Sequence, residues 1–143
     1  MKQIYTSRCA ADTERIAEGL ANKLSGGEVI AFCGGLGMGK TCFVRGLARG
    51  LGFTGDVSSP TFALVNEYIG GRLPLFHFDM YRVTGWEDLY STGYFDYLEA
   101  GGVLAVEWSE NIEAALDENT ITVTIRQTGE NEREIEICGG VSA

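Results

Sequence analysis

A glycine-rich segment between two apolar segments constrains the fold of this chain more than any other feature. Residues 34–41 read GGLGMGKT and match the pattern G-x-x-x-x-G-K-[ST] in full. The apolar run EVIAFC (28–33) comes directly before it, which is typical of a strand buried on both faces. The segment KTCFVRGLARGLG (40–52) follows, with apolar residues at helical spacing. A strand, a glycine loop and a helix in this order predict an α/β domain whose loop binds phosphate.

The residue types in this loop fit a phosphate ligand. Glycines let consecutive backbone N–H groups turn inward around an anion, where side chains would block the approach. The helix that begins near Lys40 adds the positive end of its dipole at the same place. Lys40 is placed to reach the β- and γ-phosphates of a nucleotide, and the Thr41 hydroxyl to ligate Mg²⁺. The alternative, a strand-to-helix turn without a ligand, leaves the cost of ordering these glycines without a reason.

Composition and charge exclude several classes of protein. The 143 residues predict one domain, residues 1–143, with a hydrophobic core that needs no disulfide or metal. The net charge of −9 repels a nucleic acid backbone, so we expect a partner to hold any nucleic acid on which this chain acts.

No apolar stretch is long enough for a membrane span, and the N-terminus lacks the apolar core of a signal peptide, which favours the cytoplasm. The four cysteines and one histidine are too scattered for a zinc site.

Local patterns predict the remaining elements of the first half. KQIYTSR near the N-terminus predicts a short strand, and residues 11–24 predict a helix with Asp12 as its N-cap. FALVNEYI and RLPLFHFDMY flank a Gly-Gly pair, which predicts a hairpin. Thr84 and Glu87 have the spacing of a capping box that opens a short helix.

The second half completes a mixed sheet. GVLAVEW (102–108) predicts a second buried strand, and SENIEAAL after it predicts a short helix. Apolar residues alternate on both sides of a Gly-Glu-Asn turn in the tail, which predicts two antiparallel strands. Together these elements predict an α/β fold: a three-layer, P-loop NTPase-like domain with a mixed parallel and antiparallel sheet, helices on both faces and a C-terminal β-hairpin.

Two carboxylates are candidates for the metal side of a nucleotide site. Asp79 ends LPLFHFD and Glu107 ends GVLAVE, so both follow apolar residues at the C-terminal end of a predicted strand. Open α/β sheets bind their ligands at that edge. We expect Asp79 to hold Mg²⁺ through water, and Glu107 to act beside the γ-phosphate or the attacking water. The alternative is a solvated residue at a strand end.

Three other residues near these carboxylates have two interpretations each. His77 is either a packing residue of its strand, which is the more common case for a lone histidine in a strand, or a base. Trp108 either stacks near the site or fills the core. Arg82 is a surface residue or supplies positive charge to the transferring phosphate.

Several motifs in order resemble one family. GLGMGKT with FVRGLARGLG behind it, SSPTFALVNEY, LFHFDMYR, EDLYSTGYFDYL and GVLAVEW occur between residues 10 and 126. The chain is thereby similar to the TsaE (YjeE) family of bacterial P-loop ATPases, which are needed to form threonylcarbamoyladenosine (t6A) at adenosine 37 of transfer RNA. The HFDxYR and EW blocks are more specific for this family than the glycine loop alone.

The resemblance implies the cofactors ATP and Mg²⁺, the partners TsaB and TsaD, and contact with tRNA only through those partners. It also implies slow ATP hydrolysis without them, and Lys40, Asp79 and Glu107 as the catalytic residues. The metal-side residues are Thr41, Asp79 and Glu107. The residues implied in nucleotide binding are Gly34, Gly35, Leu36, Gly37, Met38, Gly39, Lys40, Thr41, Cys42, Ser59, Thr61 and Trp108.

The glycine loop departs from the family pattern, and two other functions stay open. The family usually has GDLGAGKT, but this chain has Gly35 in the second position and Met38 in the fifth. The nest of backbone N–H groups does not need the missing carboxylate, but hydrolysis could. Gly35 therefore favours, as an alternative, a nucleotide-gated binding module with negligible hydrolysis. A small-molecule kinase is the third possibility, although the chain has no arginine-rich lid segment.

Overall fold

Seven strands of the computed structural model form one mixed sheet, which confirms the predicted α/β fold. The structure describes residues 2–33, 39–55, 57 and 65–139. The strands are β1 (Lys2–Ser7), β2 (Val29–Cys33), β3 (Val65–Tyr68), β4 (Leu75–Asp79), β5 (Val103–Glu107), β6 (Ile121–Gly129) and β7 (Glu132–Cys138). The helices are α1 (Ala10–Ala21), α2 (Lys40–Gly50), α3 (Trp86–Ser91), α4 (Tyr94–Glu99) and a 3₁₀ helix (Ser109–Ala115).

The order of the strands is β1-β7-β6-β2-β5-β4-β3. β2 lies in the middle, parallel to β5 on one side and to β6 on the other, and β4 runs parallel to β5. The pairs β3–β4, β6–β7 and β1–β7 are antiparallel. The hairpin of β6 and β7 confirms the C-terminal hairpin that the alternating apolar residues predict.

Helices cover both faces of the sheet, as predicted. On one face α1 and α2 pack against β2 and its neighbours through a core that includes Phe32, Phe43 and Leu47. On the other face α3, α4 and the 3₁₀ helix cover β4 and β5 through a core that includes Phe78 and Tyr94. Because β2 and β5 lie between the two cores, their sequences are continuous apolar runs rather than alternating ones. No helix within the described ranges is both long enough and apolar enough to cross a membrane.

Two predicted helix caps are wrong. Cys9 occupies the N-cap position of α1, and Asp12 lies in the first turn, where its carboxylate accepts a hydrogen bond from the backbone N–H of Arg8 (3.0 Å). At α3, both the hydroxyl and the N–H of Thr84 donate to Asp88 rather than to Glu87 (2.7 and 3.0 Å). In both cases a carboxylate in the first turn of the helix accepts a hydrogen bond from a backbone N–H that lies before the helix.

A close contact between α1 and α2 fixes the direction of α2. Gly46 on α2 faces the backbone of α1, and a Cβ atom added there would lie 2.7 Å from the Cβ of Ala17 and would also meet the carbonyl oxygen of Glu14. Arg72 holds the other end of α1, because its guanidinium donates to the carbonyl oxygens of Ala21 and Leu24 (2.9 and 2.8 Å). The first contact holds α1 and α2 against each other, and α2 begins after the C-terminal end of β2.

Candidate active site

The parallel strands β2, β4 and β5 end at one edge of the sheet, and two carboxylates lie side by side there. Asp79 is the last residue of β4 and Glu107 the last of β5, and the two are partners in the parallel register. Both are partly exposed, whereas the residues before them in these strands are buried. The prediction that each carboxylate stands at the C-terminal end of a strand is confirmed, and the strand order makes them neighbours.

The N-terminus of α2 begins at the same edge, after the end of β2. Gly39 precedes the helix with φ of 94°, a left-handed conformation that side chains disfavour. Among the described residues, a Cβ atom there would meet Ile125 alone, at 4.0 Å, and the positive φ favours glycine whatever the space. Lys40 is the first residue of α2 and is buried, and Thr41 follows it, partly exposed. The first turn of α2 thus combines a buried lysine with the positive end of the helix dipole.

The carboxylates are held by different contacts. The Oδ1 atom of Asp79 accepts a hydrogen bond from the backbone N–H of Tyr81, two residues later (3.0 Å). The Oε2 atom of Glu107 lies 2.6 Å from Nε2 of His77, which is fully buried in β4. The contact between Glu107 and His77 joins two neighbouring strands.

Trp108 follows Glu107 in a strained conformation. Its φ of 59° and ψ of 41° make it the one non-glycine residue with positive φ in the described ranges. Its ring packs edge-on against Tyr81, with the centroids 5.0 Å apart. A left-handed tryptophan costs about 1–3 kcal/mol, and such strain persists where the surrounding structure fixes it.

Two polar residues of the 3₁₀ helix tie the strand ends together. The Ser109 hydroxyl donates to the carbonyl oxygen of Phe32 in β2 (3.0 Å), and both residues are buried. The Asn111 amide donates to the carbonyl oxygen of Met80, just after β4 (2.8 Å). The sequence motifs did not indicate either residue as a support of the site, although polar residues that follow a buried strand are a signal of such turns.

Some of the remaining predicted site residues lie within the ranges that the structure describes, and others do not. Cys42 lies in the first turn of α2, partly buried, with its sulfur 3.8 Å from the Arg45 guanidinium. Arg82 is exposed in the turn after β4, so both of its interpretations stand. The predicted contacts that fall outside the described residues are Gly34, Gly35, Leu36, Gly37, Met38, Ser59 and Thr61.

The chemistry of this edge fits Mg²⁺. Within the described ranges no three His, Cys, Asp or Glu side chains form a group that could hold a metal ion by themselves. Mg²⁺ does not need such a cage, because it usually keeps several waters and is held by one or two carboxylates together with substrate phosphates. Asp79 and Glu107 supply two adjacent carboxylates, and Thr41 supplies a hydroxyl at the start of α2.

Comparison with known proteins identifies the family. The model of the family described as "Threonylcarbamoyl adenosine biosynthesis protein TsaE" matches residues 7–135. The chain belongs to the TsaE family. The resemblance that the motifs indicate is therefore confirmed over most of the chain.

Individual TsaE proteins match over most of their lengths. The tRNA threonylcarbamoyladenosine biosynthesis protein TsaE of Treponema pallidum is 40% identical over 132 residues, which cover 92% of this chain and 97% of that protein. The protein of the same name from Bacillus subtilis is 42% identical over 87% of this chain and 77% of its own length. Among solved structures, the crystal structure of Bacillus subtilis YdiB has a TM-score of 0.83 and 34% identity, and the match covers 98% of this chain and 86% of YdiB.

Proposed function

We propose that this TsaE family member is a P-loop ATPase that binds and hydrolyses MgATP in the formation of t6A at adenosine 37 of tRNA. The observation that carries the proposal is the meeting of Asp79, Glu107 and the N-terminus of α2 at one edge of the sheet. The names of the relatives support the pathway, since they are tRNA threonylcarbamoyladenosine biosynthesis proteins. We further propose that it acts in the cytoplasm as one domain, and with TsaB and TsaD.

The nucleotide would lie along the loop and the start of α2. In this proposal the glycine loop from Gly34 onward holds the β- and γ-phosphates with its N–H groups. Lys40, buried in the first turn of α2, adds its positive charge to that site. The N-terminus of α2 adds the positive end of the helix dipole. Ser59 and Thr61, outside the described residues, are proposed as contacts of the γ-phosphate or metal. Cys42 in the first turn of α2 and Trp108 after β5 are proposed to contact the nucleotide.

The two carboxylates take different roles. Thr41 and Asp79, the latter directly or through water, would hold Mg²⁺, with Glu107 near it; when bound, Mg²⁺ neutralises charge on the phosphates. Glu107 orients the attacking water or takes its proton. Because phosphoryl transfer depends on positioning and charge neutralisation, a domain without a further contact from a partner turns over slowly. TsaB and TsaD are proposed to supply or sense that contact and to hold the tRNA.

A complementation experiment tests this role. In cells depleted of the protein, t6A in tRNA is measured by mass spectrometry of nucleosides after expression of wild type, Lys40→Ala or Lys23→Ala. Lys23 is exposed in the turn after α1 and serves as the matched control. We expect wild type and Lys23→Ala to restore t6A and Lys40→Ala to fail at equal protein level. Full restoration by Lys40→Ala would contradict a role of the nucleotide.

Gly35 favours a second candidate, a module that binds ATP and docks on a partner with negligible hydrolysis. The two candidate functions make opposite predictions about the release of phosphate from ATP. Complex formation with TsaB–TsaD that depends on nucleotide but proceeds without phosphate release would favour the binding module. Complex formation accompanied by release would favour the ATPase.

A further inference from the structure

The single histidine of the chain is buried beside the proposed catalytic carboxylate. His77 is 0% exposed, in the middle of β4. Its partner in the register with β5 is Ala105, two residues before Glu107, so the side chains of His77 and Glu107 are on the same face of the sheet. The Nε2 atom lies 2.6 Å from Oε2 of Glu107, at the short end for a hydrogen bond between a ring N–H and a carboxylate.

Packing alone does not explain a histidine here. The neighbouring residues of β4, Phe76 and Phe78, are apolar and buried, and an apolar side chain would fill the position without a polar cost. The Nδ1 atom of His77 is buried and has no hydrogen-bond partner in the part of the chain that the structure describes. One ring nitrogen is therefore left unpaired while the other serves Glu107, and a buried unpaired polar atom calls for a reason.

The contact with His77 restrains the flexible side chain of Glu107 at its carboxylate end. A glutamate side chain loses considerable rotamer freedom when it is fixed in one position. Since a carboxylate only accepts hydrogen bonds, Nε2 of His77 carries the proton of this contact. The hydrogen bond occupies Oε2 of Glu107 and leaves Oε1 of the same carboxylate for another donor, such as a water molecule.

We propose that His77 is a positioning residue, which holds Glu107 in the orientation that acts on the attacking water. The proposal rests on the proposed ATP hydrolysis, and it assigns to His77 no contact with the nucleotide. Removing its N–H should slow the chemical step and leave nucleotide binding unchanged, because the phosphates are expected to bind the loop and α2 rather than β4.

Two substitutions of His77 separate positioning from packing. His77→Gln keeps an amide N–H near the position of Nε2, whereas His77→Leu keeps similar bulk without a donor. Phosphate release from MgATP gives kcat and KM, fluorescence of a labelled ADP gives Kd, and thermal unfolding checks the fold. We expect His77→Leu to lower kcat by about 10- to 100-fold, the loss typical of a removed supporting contact, with KM and Kd within about twofold of wild type. His77→Gln should recover most of kcat.

Other outcomes overturn the proposal in distinguishable ways. Equal kcat for His77→Leu and wild type, or equal losses in His77→Leu and His77→Gln, would show that the N–H does not position Glu107. Weaker nucleotide binding and a lower melting temperature, together with a lower kcat, would assign His77 to packing alone. Absence of phosphate release from the wild type, with or without TsaB–TsaD, would overturn the proposed ATPase and the positioning role together.

A spectroscopic measurement tests the contact without hydrolysis. Because the chain has one histidine, the imidazole ¹⁵N spectrum of the labelled protein contains signals from one ring. We expect a protonated Nε2 and a bare Nδ1, and a clear change of the Nε2 signal in Glu107→Ala. A spectrum that is the same in wild type and Glu107→Ala would contradict the hydrogen bond itself.

Discussion

Asp79 and Glu107 end neighbouring strands, but contacts of different range hold them. Asp79 accepts from the N–H of Tyr81, two residues away, whereas Glu107 contacts His77, thirty residues earlier in the chain. The local contact fixes one carboxylate at the turn after β4. The long-range contact ties the other to the interior of the sheet, which agrees with the proposed role of Glu107 at the attacking water.

Asp79→Asn tests the metal role of this carboxylate. The asparagine oxygen can still accept from the N–H of Tyr81, so we expect the fold and the melting temperature to change little. The lost charge should raise the Mg²⁺ concentration needed for half-maximal phosphate release by about 10- to 100-fold. An unchanged Mg²⁺ dependence would remove Asp79 from the metal side of the site.

The strained backbone of Trp108 gives a prediction on stability. Trp108→Gly and Trp108→Ala both remove the ring that packs on Tyr81, but only glycine adopts φ of 59° without cost. We expect the glycine variant to be more stable than the alanine variant by about 1–2 kcal/mol in chemical denaturation. Equal stabilities would mean that the backbone relaxes to another conformation when the ring is absent.

At the scale of elements, the packing of α1 against α2 supports the proposed phosphate-binding end of α2. Gly46 allows the backbones of the two helices to approach closely, since an added Cβ atom would meet both Glu14 and Ala17. The cores on the two faces then hold β2 and β5 between helices. The direction of α2, and with it the position of Lys40, depends on this packing.

A matched pair of glycine substitutions tests the helix contact. Gly46→Ala raises helix propensity but forces the added Cβ into α1, so we expect a net loss of about 1–3 kcal/mol in the free energy of unfolding. Gly19 on α1 is exposed, and a Cβ atom added there would have no atom of the described residues within 4 Å, so Gly19→Ala should raise the stability by up to about 1 kcal/mol. A stabilised Gly46→Ala variant in the same denaturation experiment would contradict close packing.

The sequence predicts elements better than it predicts the contacts between them. The continuous apolar runs of β2 and β5 and the alternating tail are local signals, and the structure confirms these strands. The sequence does not specify the caps, because several carboxylates lie within one turn and the backbone conformation selects among them, as it selects Asp88 over Glu87. The pairing of His77 with Glu107 depends on the order of the strands, which the sequence leaves open.

At the scale of the whole molecule, the net charge of this protein opposes direct contact with tRNA. The chain has 20 acidic residues against 11 lysines and arginines, for a net charge of −9. A surface of this sign repels phosphate backbones, and sequence-independent RNA binding depends on positive charge. A role in tRNA modification is therefore compatible with this chain when a partner holds the tRNA.

The charge predicts that the protein alone does not bind tRNA. At physiological salt we expect no shift of labelled tRNA in native gels at protein concentrations on the order of 10 µM, within the range where basic proteins bind without specificity. TsaB–TsaD in the same gels serves as the comparison. A shift by this protein alone would mean that a basic patch outweighs its net charge.

Phosphate release from MgATP by the purified protein, alone and with TsaB–TsaD, is the most direct test of the proposed ATPase. Lys40→Ala is the test variant, Lys23→Ala is its control, and fluorescence of a labelled ADP reports binding. We predict slow release by wild type, faster release with the partners, and a loss of at least about 100-fold in Lys40→Ala. Nucleotide binding without release in either condition would contradict the ATPase and favour the nucleotide-gated module.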